Sequence, residues 1–224
     1  MNTDKERAVK TPRSYRSPLR ETQARETRRR IVAGARELFL QQGYPATTIA
    51  AVARRAGVSA DTIYTVFGSK GALLKEVLDV VIGGDDEDVA LLERAGPRAV
   101  RAEPDQRRQI ALFAAGMTEQ LERVRPMDDI LRGAAAVDPA AAELRDDLQV
   151  RQRREAMRAV VGWIAARGPL RDGLGQEDAA AIVWTLTSPE VHLLLRDTSR
   201  WTRERYEEWL RDTLTTSLLQ SSGG

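Results

Sequence analysis

Between Thr47 and Leu74 the chain sets out short polar side chains at helical spacing, with one ammonium close behind. Thr47, Thr48, Ser59, Asp61, Thr62, Tyr64 and Thr65 offer hydroxyls and one carboxylate, and Lys70 offers a cation. Such groups recognise hydrogen-bonding partners and do not make or break bonds, because none is a nucleophile with a base beside it. The rest of the chain adds no reaction chemistry. There is no cysteine, one histidine (His192), no glycine-rich phosphate loop and no cluster with metal-ligand spacing, so no enzyme activity, cofactor or metal is expected. The neighbours Asp128-Asp129 and Asp146-Asp147 diverge on a helix. The run Asp85-Asp86-Glu87-Asp88 is read as negative charge at the N-terminus of a short helix over Val89 to Arg94, where the macrodipole favours it.

The elements that must position these groups follow from apolar spacing and caps. A first helix is expected from about Glu21 to Gln42, with Ile31, Ala35, Leu38 and Phe39 inward and Gly43 as its C-cap. Thr47 or Thr48 caps a second helix that runs to about Arg55. Ala56-Gly57-Val58 is the turn, Ser59 caps a third helix ending at Phe67-Gly68, and Ser69 caps a fourth. On the third helix, at 100° per residue, Ile63, Val66 and Phe67 fall on one side. Asp61 and Thr65 lie opposite, flanked by Thr62 and Tyr64. This is the layout of a helix-turn-helix, whose short polar helix enters the major groove of double-stranded DNA. Thr47, Thr48, Tyr64 and Lys70 are the expected phosphate partners, and Ser59 and Ala60 open a helix whose backbone N–H groups also suit phosphate. For Asp61 two roles stay open. It accepts from a cytosine amino group, or it caps the helix alongside Ser59.

Charge agrees with this reading. Residues 1–75 hold 15 Lys and Arg against 6 Asp and Glu, so a net charge of +2 splits into about +9 there and about −7 beyond. The division expected is a disordered basic arm over 1–20, a helix-turn-helix domain over 21–68 and a helical body over 69–220. Arg13, Arg16 and Arg20 of the arm are candidates for DNA contact. No apolar run is long enough for a membrane span, and a cytoplasmic location is expected. The body reads as helices throughout, with Pro126 ending one, Asp138-Pro139 opening a long one, and Ser188-Pro189 kinking or restarting another. The Arg151-Arg153-Arg154-Arg158 cluster is read as a solvated helix face.

Ile31, Ala35, Leu38-Phe39, Gly43-Tyr44, Thr47-Thr48, Ile49, Val52-Ala53, Ala56-Gly57-Val58-Ser59, Thr62-Ile63-Tyr64, Phe67, Ser69-Lys70 and Leu73-Leu74 together resemble a TetR/AcrR-type transcriptional regulator. The resemblance covers about fifty residues. It implies an all-α protein, with a three-helix DNA-binding domain ahead of a C-terminal helical bundle for ligand binding and dimerisation. It further implies a homodimer through residues 176–196 and 202–219, a pseudo-palindromic operator, and a small apolar or amphipathic effector that releases the protein from DNA. A DNA-binding regulator or activator without a ligand is the alternative. Phe113, Met117, Met127, Leu131, Met157, Trp163 and Trp184 are the candidate lining of the implied pocket. Asp61 departs from the family, which often has a small residue there.

Overall fold

The computed structural model describes residues 18–220, and among them it contains helices and no strand. Helix α1 (Pro18–Ala46) starts earlier than expected and takes in Pro18 to Arg20. The remainder of the expected arm, with Arg13 and Arg16, lies outside the described residues. Gly43, at φ 79 and ψ 167, breaks α1 where a C-cap was expected. Then come α2 (Ile49–Ala56), α3 (Ala60–Phe67) and α4 (Lys70–Gly83).

Beyond α4 the expected helix over Val89 to Arg94 is only a 3-10 turn, Leu91–Glu93, and α5 (Ala95–Ala102) begins after it. Pro97 falls in the first turn of α5, where a missing N–H costs no helical bond.

Helix α6 (Gln106–Ala135) runs straight through Pro126. An interior proline costs about 3 kcal/mol. Val124, Met127 and Leu131 around it are buried, and full burial of such side chains contributes roughly 1.5–3 kcal/mol each. Packing therefore outweighs the local penalty.

Asp138 accepts from the Ala140 N–H at 2.9 Å and opens α7 (Pro139–Arg145). A π-helical turn, Asp146–Gln152, then joins α7 to α8 (Arg153–Ala165). Helix α9 (Gln176–Leu186) is followed by a restart at Ser188-Pro189 into α10 (Pro189–Leu193), a second π turn, and α11 (Arg203–Leu218).

Two apolar cores result. One joins α1 to α4 with the C-terminal half of α6 and with α7, and holds Ile31, Phe39, Ile63, Leu73, Met127 and Leu131. The other joins α5, the N-terminal half of α6, α8, α9 and α11 around Ile110, Val161, Ile164 and Tyr206. Helix α6 thus belongs to both, and a boundary at residue 68 cuts through the first core, because Leu73, Leu74, Val77 and Leu78 of α4 are sealed within it. The apolar face of α11 is also spent inside the chain. Tyr206, Leu210, Leu214 and Leu218 are buried against its own helices, so that stripe does not by itself call for a second subunit. No helix among the described residues is long and apolar enough to cross a membrane.

Candidate nucleic-acid interface and the cavity behind it

The caps that build the turn are made as expected. Thr48 Oγ1 accepts from the Ala51 N–H at 3.1 Å, Ser59 Oγ from Thr62 at 3.0 Å, and Ser69 Oγ from Ala72 at 3.0 Å. Gly57 sits at φ 67 and ψ 41, the left-handed region that only glycine enters freely, and the Val58 N–H closes the turn on the Ala53 carbonyl at 3.0 Å.

On α3, Ile63 is the buried anchor, and Phe67 packs beside it beneath the Arg28 guanidinium at 4.8 Å. Val66, expected inward, is instead exposed. Asp61, Tyr64 and Thr65 are exposed and Thr62 is half-buried, its hydroxyl 2.8 Å from Ser59 Oγ. The N-cap is made by Ser59, leaving Asp61 in the first turn with its carboxylate on the outward side.

Two of the expected phosphate partners do other work. Thr47 is buried, and its hydroxyl donates to the Gly43 carbonyl at 2.8 Å and accepts from Gln42 Nε2 at 3.3 Å. Lys70 Nζ donates to the carbonyls of Tyr44 at 2.7 Å and Thr47 at 2.8 Å, and lies 4.1 Å from the centre of the Tyr44 ring. Burial lowers the Lys70 pKa, and the Asp138 carboxylate works against that. Burial together with Asp138 pushes the Tyr44 hydroxyl up to about 12. Thr47 and Lys70 therefore fasten the α1–α2 loop to α4 and are not free to meet phosphate as expected. Thr48, Ser59, Ala60, Asp61, Thr62, Tyr64 and Thr65 remain on or beside the open face.

In the body, a cavity of about 380 Å³ lies between the end of α4, the 91–97 segment, α6 and α8. Phe113, Met117, Met157 and Trp163 line it. A second cavity of about 570 Å³ shares Met117 and Met157 and extends toward the first π turn and Pro189. Three of the expected lining residues lie elsewhere. Met127 and Leu131 are buried in the core beneath the DNA-binding helices. Trp184 lines neither cavity; its indole N–H donates to the Gln149 carbonyl at 3.0 Å.

Residues that the apolar spacing could not single out tie these cavities to α4. Arg123 Nε donates to the Val81 carbonyl at 2.8 Å, and Gln120 Nε2 to the Ile82 carbonyl at 3.2 Å. Both satisfy the open C-terminal end of α4 while lining the smaller cavity, and Gln120 lines the larger as well. Gly84, at φ 90, turns the chain away and lets the Arg123 guanidinium close on the helix end. Asp85 and Asp86, which suggested a charged helix start, pair with Arg94 and Arg29.

Comparison with known proteins matches the DNA-binding helices by family and most of the chain more distantly. Residues 31–77 match the family described as bacterial regulatory proteins, tetR family. The uncharacterized HTH-type transcriptional regulator TtgW of Pseudomonas putida is 43% identical over 56 residues, which cover 25% of this chain and only 42% of that relative. The HTH-type transcriptional regulator TtgR of the same species is 26% identical over 191 residues, covering 80% of this chain and 89% of its own. The crystal structure of NalD, the secondary repressor of the MexAB-OprM multidrug efflux pump in Pseudomonas aeruginosa, superposes with a TM-score of 0.61 at 22% identity. It covers 89% of this chain and 99% of that one, a likeness of fold.

Proposed function

We propose that this chain, a TetR-family DNA-binding transcriptional regulator by the comparisons just given, acts in the cytoplasm as a homodimeric repressor that a small apolar or amphipathic effector releases from a pseudo-palindromic operator. The observation that carries this reading is the double duty of Gln120 and Arg123. They line a cavity and hold the last carbonyls of α4, and the other end of α4 is bonded to the helix-turn-helix through Lys70. A molecule that draws Gln120 or Arg123 toward itself frees one end of a helix whose far end sets the pose of α3. Base contacts fall to the outward residues of α3, Asp61, Thr62 and Thr65. Phosphate contacts fall to Thr48, to the exposed Tyr64 hydroxyl and to the N–H groups at Ser59 and Ala60.

The dimer of this reading forms through residues 176–196 and 202–219. That surface carries Leu194 at 57% exposure, an apolar side chain that a second subunit would cover. Two-fold symmetry then spaces the recognition helices by about 34–36 Å or a multiple of it.

Selection of bound sequences from random DNA, followed by thermal stabilisation of the protein with a metabolite panel in the presence and absence of the selected operator, tests the proposal. The expected outcome is a palindromic site and an effector whose affinity the operator weakens by the same factor as the effector weakens the operator. An effector that binds free and DNA-bound protein equally overturns release as the mechanism.

A further inference from the structure

Arg153 stands apart from the other arginines of its cluster. Arg151 pairs with Asp147, and Arg158 with Glu155 and Glu177, as a solvated helix face requires. Arg153 turns inward instead. One of its terminal nitrogens donates to the Trp184 carbonyl, and its guanidinium carbon lies 5.1 Å from the centre of the Trp184 ring. No carboxylate among the described residues is within ion-pairing distance of it, and its buried Nε has no hydrogen-bond partner. A half-buried cation with no carboxylate in direct contact is costly, and a bound anion would relieve that cost.

The surroundings say what kind of anion. Arg153 is on the wall of the larger cavity, about 570 Å³, beside apolar side chains such as Leu121, Val124 and Leu148. The π turn brings Gln149 to the same wall. Its Nε2 donates to Asp128 at 2.8 Å, while its buried Oε1 has no partner. Glu93 and Glu155 also line the cavity, but both are exposed, where water screens them. Burial lowers the Arg153 pKa only to about 10, and Glu190 and Asp128 act from a distance to hold it up, so the group stays charged at neutral pH.

We propose that the larger cavity takes an organic anion, an apolar or aromatic body ending in a carboxylate or phenolate, with the acidic group seated on Arg153. The inference rests on the reading of the body as an effector-binding domain and adds the chemical class of the effector. Trp184, stacked on the guanidinium and bonded to it through its carbonyl, fixes the orientation of Arg153. The terminal nitrogen that does not bond Trp184 is the donor left for the acidic group.

Isothermal titration calorimetry of the full chain against a matched series tests this. The series is naphthoate, its neutral amide, and the corresponding naphthylmethylammonium cation. Naphthoate is expected to bind at least about tenfold more tightly than the amide, the usual worth of a charge-assisted contact, and the cation most weakly. In Arg153→Met the advantage of naphthoate over the amide disappears while the amide still binds, and in Arg158→Gln the advantage is kept. If the amide binds as well as naphthoate, the anion inference fails and the effector reading stands. If the cation binds best, the rim carboxylates select the ligand and the inference is again overturned. If none of the three binds, the cavity is not a site for aromatic anions, and the effector reading is judged by the operator experiment alone. The wild-type series decides the matter even where Arg153→Met does not fold.

Discussion

Replacing Lys70 by methionine separates two roles that the sequence could not tell apart. As a phosphate contact, Lys70 would contribute to operator affinity and to its salt dependence. As placed, it donates to the Tyr44 carbonyl at 2.7 Å and the Thr47 carbonyl at 2.8 Å and stacks on the Tyr44 ring. Hydrogen bonds from a charged donor contribute about 1.5–3 kcal/mol each, and a cation over an aromatic face about 0.5–1 kcal/mol. Lys70 is only partly buried, and water can reach carbonyls that lose it, so a net loss of about 2–3 kcal/mol is expected. Methionine keeps the apolar stem on the ring and removes the donors alone. For a chain of this size that loss lowers Tm by roughly 5–10 °C. Differential scanning calorimetry reads the stability, and operator binding across a salt series reads the phosphate role. Each lost phosphate contact would flatten the slope of log affinity against log salt by about 0.9. The expected result is a lower Tm with an unchanged slope. An unchanged Tm with a slope flattened by about two contacts per dimer refutes the fastening role and restores Lys70 to the DNA surface.

Asp128 is buried and its pKa is raised, chiefly by burial, with Glu190 and Asp129 adding to the effect and Arg145 and Arg132 opposing it. Its folded pKa lies above the unfolded value, so its contribution is fully present in acid and is lost as pH rises through the folded pKa. Asp128→Asn, whose amide oxygen still accepts from Gln149, is therefore expected to melt higher than the parent at pH 7, with the difference closing toward about pH 4; a lower melting point at pH 7 shows that the carboxylate is needed as a counter-charge. Arg123→Met leaves the Val81 carbonyl at the end of α4 without its donor. It is expected to cost about 1–2 kcal/mol in urea unfolding and to shrink the effector's influence on operator affinity, with effector binding to free protein retained; full coupling in this variant refutes the link. Asp61→Ala is expected to change base preference at one position of each half-site, by about 1–3 kcal/mol in a binding-site selection, and a uniform change across all sequences refutes direct reading.

The helix-turn-helix was legible because its information is local. Thr48, Ser59 and Ser69 each bond an N–H within three residues, and Gly57 meets a dihedral requirement of its own position. Side-chain destinations across the fold were less legible. Thr47 and Thr48 are the same residue type in adjacent positions, yet one is buried under a carbonyl and the other caps a helix. The break at Gly43 brings its carbonyl within reach of the Thr47 hydroxyl. Val66 shares the apolar side of α3 in projection, but the core reaches Ala60, Ile63 and Phe67 and leaves Val66 exposed.

The placement of Met127 and Leu131 and of the domain division has one physical cause, α6. A proline looked like its end, and the burial of Val124, Met127 and Leu131 carried it onward. As one continuous helix, α6 reaches from the two cavities to the core of the DNA-binding helices, so Met127 and Leu131 lie in that core and not in a cavity wall. The same core runs across the expected boundary after residue 68, since α4 buries its apolar face against α1 on one side and α6 on the other. Under the proposed release mechanism, control of DNA binding needs no separate hinge between domains. On the cavity wall itself, Gln120 and Arg123 already hold the carbonyls of α4, and at the other end of that helix Lys70 holds the loop that leads into α2 and α3. A ligand has to outcompete those few hydrogen bonds, a few kcal/mol in all. That is within the differential affinity for two conformations that a molecule filling such a cavity can supply.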